Sequence, residues 1–289
     1  MTYLVKCCLW PFLLLSSMII LAIGFDRGTE TLFLNLSYLW IITCLLAAEK
    51  IYCYRGDWRV PDGQTKTNLA HTFLNKGLVQ FFIVVFLALG WIAPREATLL
   101  STWPMALQIA IGLTASELGL YFAHRLAHEW KYLWRFHSVH HSVKRLWIVN
   151  TGRFHFIDSI VSIVASLPFL LLSGISTDAI IWVSAITAYI GILTHCNVDL
   201  RFGPLSYVFN TPELHRWHHS IEPSIGNTNY GENLMLWDHI FKTFYLKKGE
   251  HVEVIGIEEH MPSSFIHQLK MPFKWNHYQT YGEKNTAPD

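Results

Sequence analysis

Six stretches of this chain are apolar over nearly the length needed to cross a hydrocarbon core, about 20 residues for a core about 30 Å thick. They run 4–25, 32–48, 77–93, 105–123, 156–174 and 178–196. Inside a bilayer every backbone N–H and C=O must be paired within the protein, so such stretches fold as helices. The expected fold is all-α, a multipass membrane helical bundle of about four to six spans. The lower figure allows for the short second stretch and for the polar Asn35, Gln80, Glu117 and Asp158. Charge agrees, since 15% of the residues are charged where a soluble domain spends about a quarter. That balance excludes a disordered chain, a coiled coil and a polybasic nucleic-acid binder. Lys6, the apolar run after it and Ala22-x-Gly24 also resemble a cleavable leader. A retained helix is the expectation, and cleavage would leave residue 25 on the same side. The five cysteines form no CxxC pair and no disulfide framework.

Loop Lys and Arg accumulate on the cytoplasmic side of membrane proteins. With six spans and an inner N-terminus, the inner segments hold Lys6, five basic residues in 49–76, six in 124–155 and eight from 197 onward, which leaves Arg27 and Arg95 outside. All sixteen histidines fall on that inner side. Transport sites place ionisable groups near the bilayer midplane, whereas these gather at one edge. The pattern predicts a cytoplasmic helical cap carrying a histidine-rich site, with both termini in the cytoplasm, in a bacterial inner membrane or the endoplasmic reticulum.

Three patterns concentrate the histidines: His124-Arg125-Leu126-Ala127-His128, His137-Ser138-Val139-His140-His141 and His215-Arg216-Trp217-His218-His219. Spacings of three and four put imidazoles on one helical face, where two can reach one metal. His124 and His137 would face about 220° apart on one straight helix, so the chain must bend between them, although no Gly or Pro marks the place. Eight or more imidazoles exceed what one ion takes, which implies two metals. A structural zinc takes four ligands, commonly including cysteine; an all-histidine cluster suits redox-active iron better.

The order HRLAHEWKYLWRFHSVHH, THCN, NTPELHRWHH and NYGENLMLWDHIFKTF resembles the fatty acid hydroxylase/sterol desaturase superfamily of membrane di-iron oxidoreductases, over roughly 105–245. The resemblance implies His124, His128, His137, His140, His141, His215, His218 and His219 as metal ligands, with His195 matching the family's extra histidine. It also implies two iron ions, with zinc possible in a purified sample. The implied reaction is O2-dependent hydroxylation or desaturation of a lipid (sterol, fatty acyl or ether lipid) C–H bond. No heme or flavin domain is visible, so electrons are expected from a separate donor, cytochrome b5-like or ferredoxin-like with its reductase. Arg125, Lys131, Arg135, Lys144 and Arg145 offer an acidic donor a basic face, or serve only topology and lipid headgroups. The wording leans toward sterol desaturases and alkylglycerol monooxygenases. Where many relatives read FGT, this chain has Phe241-Lys242-Thr243.

Weaker candidates surround the boxes. His155 stands between ligand and ligand support, and His239 reads as solvated or supporting. Asn229 and Asp238 either orient imidazoles or shape a turn. Glu117 shares a helical face with Tyr121, His124 and His128 and is expected to support the site from within the bundle. His71, His251, His260, His267 and His277 match no box and read as exposed. The expected divisions are 1–104 for N-terminal spans, 105–245 for the catalytic core and 246–289 for a polar cytosolic tail that covers the site or is partly mobile. A metal transporter and a catalytically silent metal-binding protein remain alternatives.

Overall fold

The computed structural model describes residues 3–88 and 98–286, and each apolar stretch within them is helical. The helices are α1 (Tyr3–Asp26), α2 (Glu30–Ile51), α3 (Thr65–Ala88), α4 (Met105–Glu129), α5 (Lys131–His141), α6 (Phe156–Leu172) and α7 (Thr177–Thr194). Shorter ones follow: α8 (Pro212–His218), α9 (Pro223–Gly226), α10 (Leu236–Phe241), α11 (Phe265–Lys270) and α12 (Trp275–Thr286). No strand forms among the described residues, only isolated bridges such as Cys53 with Val198. Of these helices α1, α2, α4 and α7 are long and apolar enough to cross a membrane, while the apolar α6 is shorter at 17 residues. Of the stretch expected at 77–93, residues 89–93 lie outside the described residues, as do Arg95 and Pro288. The helix over it, α3, begins earlier, at Thr65, and buries Asn68, His71 and Asn75.

One apolar core joins α1, α2 and α7 through Trp10, Leu21, Ile41, Leu45, Trp182 and Ile190. α4 packs along α6 at very short range. A Cβ at Gly119 would lie 2.2 Å from the Ala165 carbonyl oxygen, so only glycine lets the two backbones approach this closely. Lys6 pairs with Asp199, the Arg201 N–H donates to the Lys6 carbonyl at 2.9 Å and the Tyr54 N–H to the Asn197 carbonyl at 3.0 Å. The start of α1, the end of α2 and the end of α7 therefore meet at one end of the bundle, as the charge pattern predicted.

α4 extends beyond the expected 105–123 and carries the first histidine box in its last two turns. The bend required between His124 and His137 falls at Trp130, whose φ of −109° and ψ of 109° leave the helical region. Residues 229–241 fold back along the bundle, where the Trp237 indole N–H donates to the Thr114 carbonyl of α4 at 3.2 Å. The C-terminal segment is fixed across the histidines: the Gly256 N–H donates to the His219 carbonyl at 3.1 Å, and the Trp134 indole to Glu259 at 2.8 Å.

The Gly119 contact is testable. Gly119→Val should lower the thermal midpoint of the detergent-solubilised protein, an overpacking cost of about 1–3 kcal/mol or more. An unchanged midpoint would place α6 elsewhere.

Candidate metal centre

The first box falls whole into one group of imidazoles, and the second and third are each split between that group and another. His124, His128, His137, His141 and His218 form one group, and His140, His195, His215 and His219 the other; within each, the nearest ring nitrogens lie within 4.8 Å of one another. Residues four apart share a group, as His137 with His141 and His215 with His219, while the residue three along points to the other. The helical rotation of α5 and α8 thus builds two sites from one run of residues. His195 reaches the second group because α7 ends there, with His195 as its C-terminal cap.

Nδ1 contacts set the ring orientation. His124 donates from Nδ1 to the Tyr230 carbonyl at 2.8 Å, His218 to the Thr228 carbonyl at 2.8 Å and His140 to the Arg153 carbonyl at 3.2 Å. His128 faces Asn227 Oδ1 at 3.0 Å, His137 faces Asp158 Oδ2 at 2.9 Å, and His195 faces the Gly191 carbonyl at 3.3 Å. A carbonyl or carboxylate oxygen can only accept, so Nδ1 carries the proton and Nε2 a lone pair. His124 and His137 nevertheless bring their Nε2 atoms to 3.1 Å, two lone pairs facing each other. His218 Nε2 is buried with no partner. In the second group Nε2 contacts of 3.0 and 3.1 Å link His195, His215, His219 and His140, and Nδ1 of His215 and of His219 is unpartnered.

A cation between the rings resolves this arrangement. Two metal–nitrogen bonds of about 2.1 Å at right angles span about 3.0 Å, which matches the spacing seen. Burial and the neighbouring imidazoles hold His140, His141, His215, His218 and His219 well below the usual histidine range, and burial pushes His195 down to about 4. The rings are neutral near pH 7, as metal ligation requires. The nine residues fit two ions with imidazole-rich coordination.

The weaker candidates separate clearly. His155 joins neither group; it caps α6 by accepting from the Ile157 N–H and donates to the Leu269 carbonyl at 3.2 Å. The exposed His239 donates to the Tyr207 carbonyl at 2.9 Å. Asp238 and Asn229 touch no imidazole. Asp238 accepts from the Tyr230 and Gly231 N–H groups at 2.8 and 2.7 Å, so it acts on the peptide whose carbonyl receives His124. Asn229 bonds Tyr245 and the Leu214 carbonyl. The buried Glu117 accepts from the Asn233 N–H at 2.9 Å and its side chain at 2.6 Å, and from the Glu232 N–H. His71 was expected to be exposed; it is buried instead, with its ring nitrogens at 2.9 Å from the Phe154 carbonyl and Gln268 Oε1. Among the five expected basic residues, Arg145 is buried on Asp62 and Arg125 pairs with Glu129. Lys131 and Lys144 remain exposed. Lys242 adopts a left-handed φ of 61°, the conformation that a glycine takes without strain.

Sequence reasoning missed Asp158, Asn227 and Trp134. Asp158 was noted only as a polar residue in a span, but it sits in the first turn of α6 and so reaches His137. Trp134 lies four residues before Ser138 on α5, and its ring packs 5.3 and 5.5 Å from His128 and His141. A cavity of about 1010 Å³ opens beside it, reaching His128, His141 and His218 and none of the second group.

The fatty acid hydroxylase family pattern matches residues 109–243. The ornithine lipid hydroxylase OlsE of Rhizobium tropici is 43% identical over 274 residues, 92% of this chain and 83% of that protein. The alkylglycerol monooxygenases of Xenopus tropicalis and Homo sapiens are each 31% identical, over 46% and 54% of this chain but only 29% and 34% of their own lengths. No solved structure matches the chain.

Asp158→Ala should weaken metal binding at the first group by about 10–100-fold in chelator competition. Unchanged affinity would show that His137 needs no such partner.

Proposed function

Because this chain belongs to the fatty acid hydroxylase family, we propose that it is an O2-dependent hydroxylase of a membrane lipid, with a di-iron centre held by His124, His128, His137, His141 and His218 on one side and by His140, His195, His215 and His219 on the other. The observation that carries the reading is the pair of facing Nε2 lone pairs on His124 and His137, 3.1 Å apart, inside the larger of two adjoining imidazole groups. When bound, the iron pair activates oxygen with two external electrons, chemistry that side chains cannot supply and that an unactivated C–H bond requires. Hydroxylation is favoured over desaturation because the similar proteins carry hydroxylase and monooxygenase names.

The protein's own share is to hold, orient and exclude. Nδ1–H bonds to Tyr230, Thr228, Asn227 and Asp158 keep four Nε2 atoms of the first group aimed inward. Residues 256–261 and Trp134 wall the cavity that leads to that group, limiting water beside it. This cavity is the proposed substrate entrance. Lys131, Lys144, Glu129, Glu258 and Glu259 are among the residues that line it, a lining of both signs that suits a lipid headgroup bearing an amine and a carboxylate, as ornithine does. Residues 1–104 then act as anchoring spans, 105–245 as the catalytic core and 246–289 as its cover. The histidine end faces the cytoplasm, where 20 basic residues by the loop assignment above satisfy the inside rule. A separate electron donor docks at that end.

Comparative lipidomics tests the function. Cells expressing the chain should accumulate a lipid one oxygen heavier than its precursor, with ornithine lipid supplied as the first candidate, and His218→Ala should return that product to background. A lipid profile identical with and without the gene would remove the assignment.

A further inference from the structure

Two carboxylates in the membrane helices are tied to the two histidine groups, one to each. Glu117, in α4, is fully buried and accepts through Oε1 from the backbone N–H groups of Glu232 and Asn233. Those residues follow Tyr230, whose carbonyl receives the Nδ1–H of His124 in the first group. Glu49, in the last turn of α2, is 8% exposed and accepts through Oε1 from the N–H groups of Ile148 and Asn197, both at 2.9 Å. Asn197 lies two residues beyond His195 of the second group. Ile148 opens the segment that leads to Arg153, whose carbonyl receives the Nδ1–H of His140 of that same group. Arg216 grips the same strip from its other edge, donating to the Cys196 and Val198 carbonyls at 3.1 and 3.2 Å, so the peptide after His195 is held on both sides.

Neither acid sits where helix energetics would put it. A buried carboxylate within an apolar span is costly, and one in the final turn of a helix opposes the helix dipole. In both cases the backbone groups satisfied are those of a segment carrying a histidine or a histidine's acceptor. Glu49 also lies well outside the region 109–243 that the family pattern covers, in a helix otherwise serving only as an anchor.

We propose that Glu49 and Glu117 are positioning residues, each fixing the loop that sets the imidazoles of one metal group, Glu117 the first and Glu49 the second. The proposal rests on the reading of the two groups as metal sites. It predicts selectivity that a general role in folding would not produce.

The test measures the metal-to-protein ratio, by elemental analysis, in the full chain purified in detergent and reconstituted with iron. Glu117→Leu should lower the ratio from about two to about one. It should change nothing further when combined with His124→Ala, which disables the same group, and should bring the ratio near zero when combined with His215→Ala. Glu49→Leu should do the reverse. Glu117→Gln and Glu49→Gln keep the accepting Oε1 and should restore the ratio. Glu117→Asp and Glu49→Asp, which keep the charge and withdraw the acceptor by one methylene, should weaken their own group about 10-fold in chelator competition, and so test the idea even where the Leu variants fail to fold. Loss of both ions together irrespective of the histidine background, full retention in the Leu or Asp variants, or Gln variants as poor as Leu would each overturn the proposal. A wild-type chain that binds no iron would instead overturn the metal-centre reading on which it rests.

Discussion

The protonation of Nδ1 on the buried imidazoles is the constraint on which the site depends. Once Tyr230, Thr228 and Arg153 present carbonyl oxygens to His124, His218 and His140, the tautomer of each ring is decided. Every such ring turns an unprotonated Nε2 toward the others. The lone pairs of His124 and His137, 3.1 Å apart, repel unless a cation lies between them, so the outer hydrogen bonds, more than the histidines themselves, make this a place for metal. The same bonds explain why the acceptors are mostly backbone carbonyls: a peptide oxygen cannot ionise and cannot reverse its role as pH changes.

Backbone acceptors must in turn be held, and here the membrane bundle does its part. The loop that carries Tyr230 is fixed by Asp238 beneath two of its N–H groups and by Glu117 beneath two more. α4 therefore contributes to the first group twice, through His124 and His128 at its end and through Glu117 two turns further in. α6 contributes Asp158 to His137 from its first turn, and the contact at Gly119 fixes α6 against α4. Rigid helices set the spacing while the intervening segments supply oxygen atoms, and the irregular backbone of those segments is itself held by buried side chains.

Much of this was legible in the residues. The spacing within the three boxes foretold that their imidazoles gather, and the angular mismatch between His124 and His137 foretold a bend that falls at Trp130. What could not be read depended on distant partners. His71 looked like an unattached polar residue because Phe154 and Gln268, which enclose it, are far along the chain. Arg145 looked like part of a docking face because Asp62, which buries it, lies in another segment. His155 resembled a box histidine, yet a capping position at α6 uses one ring nitrogen as an acceptor and leaves it outside both groups. The division of the second and third boxes between two groups was also hidden, since a pattern of three and four residues shows nearness on a helix without saying which neighbour lies across from it.

Lys242 shows how a departure from the family wording is absorbed. The turn after α10 requires a left-handed residue, and the Thr243 hydroxyl and N–H both return to Asp238 there, the hydroxyl at 2.6 Å and the N–H to its carbonyl at 2.9 Å. A glycine would adopt that conformation freely, whereas lysine carries a steric cost of about 1 kcal/mol. The cost is tolerated because Asp238 is engaged at once by Tyr230, Gly231 and Thr243, so the turn is fixed by bonds on both sides of the strained residue. Strain at Lys242 and order at Tyr230 are thus two ends of one network, and the imidazole of His124 stands at the far end of it.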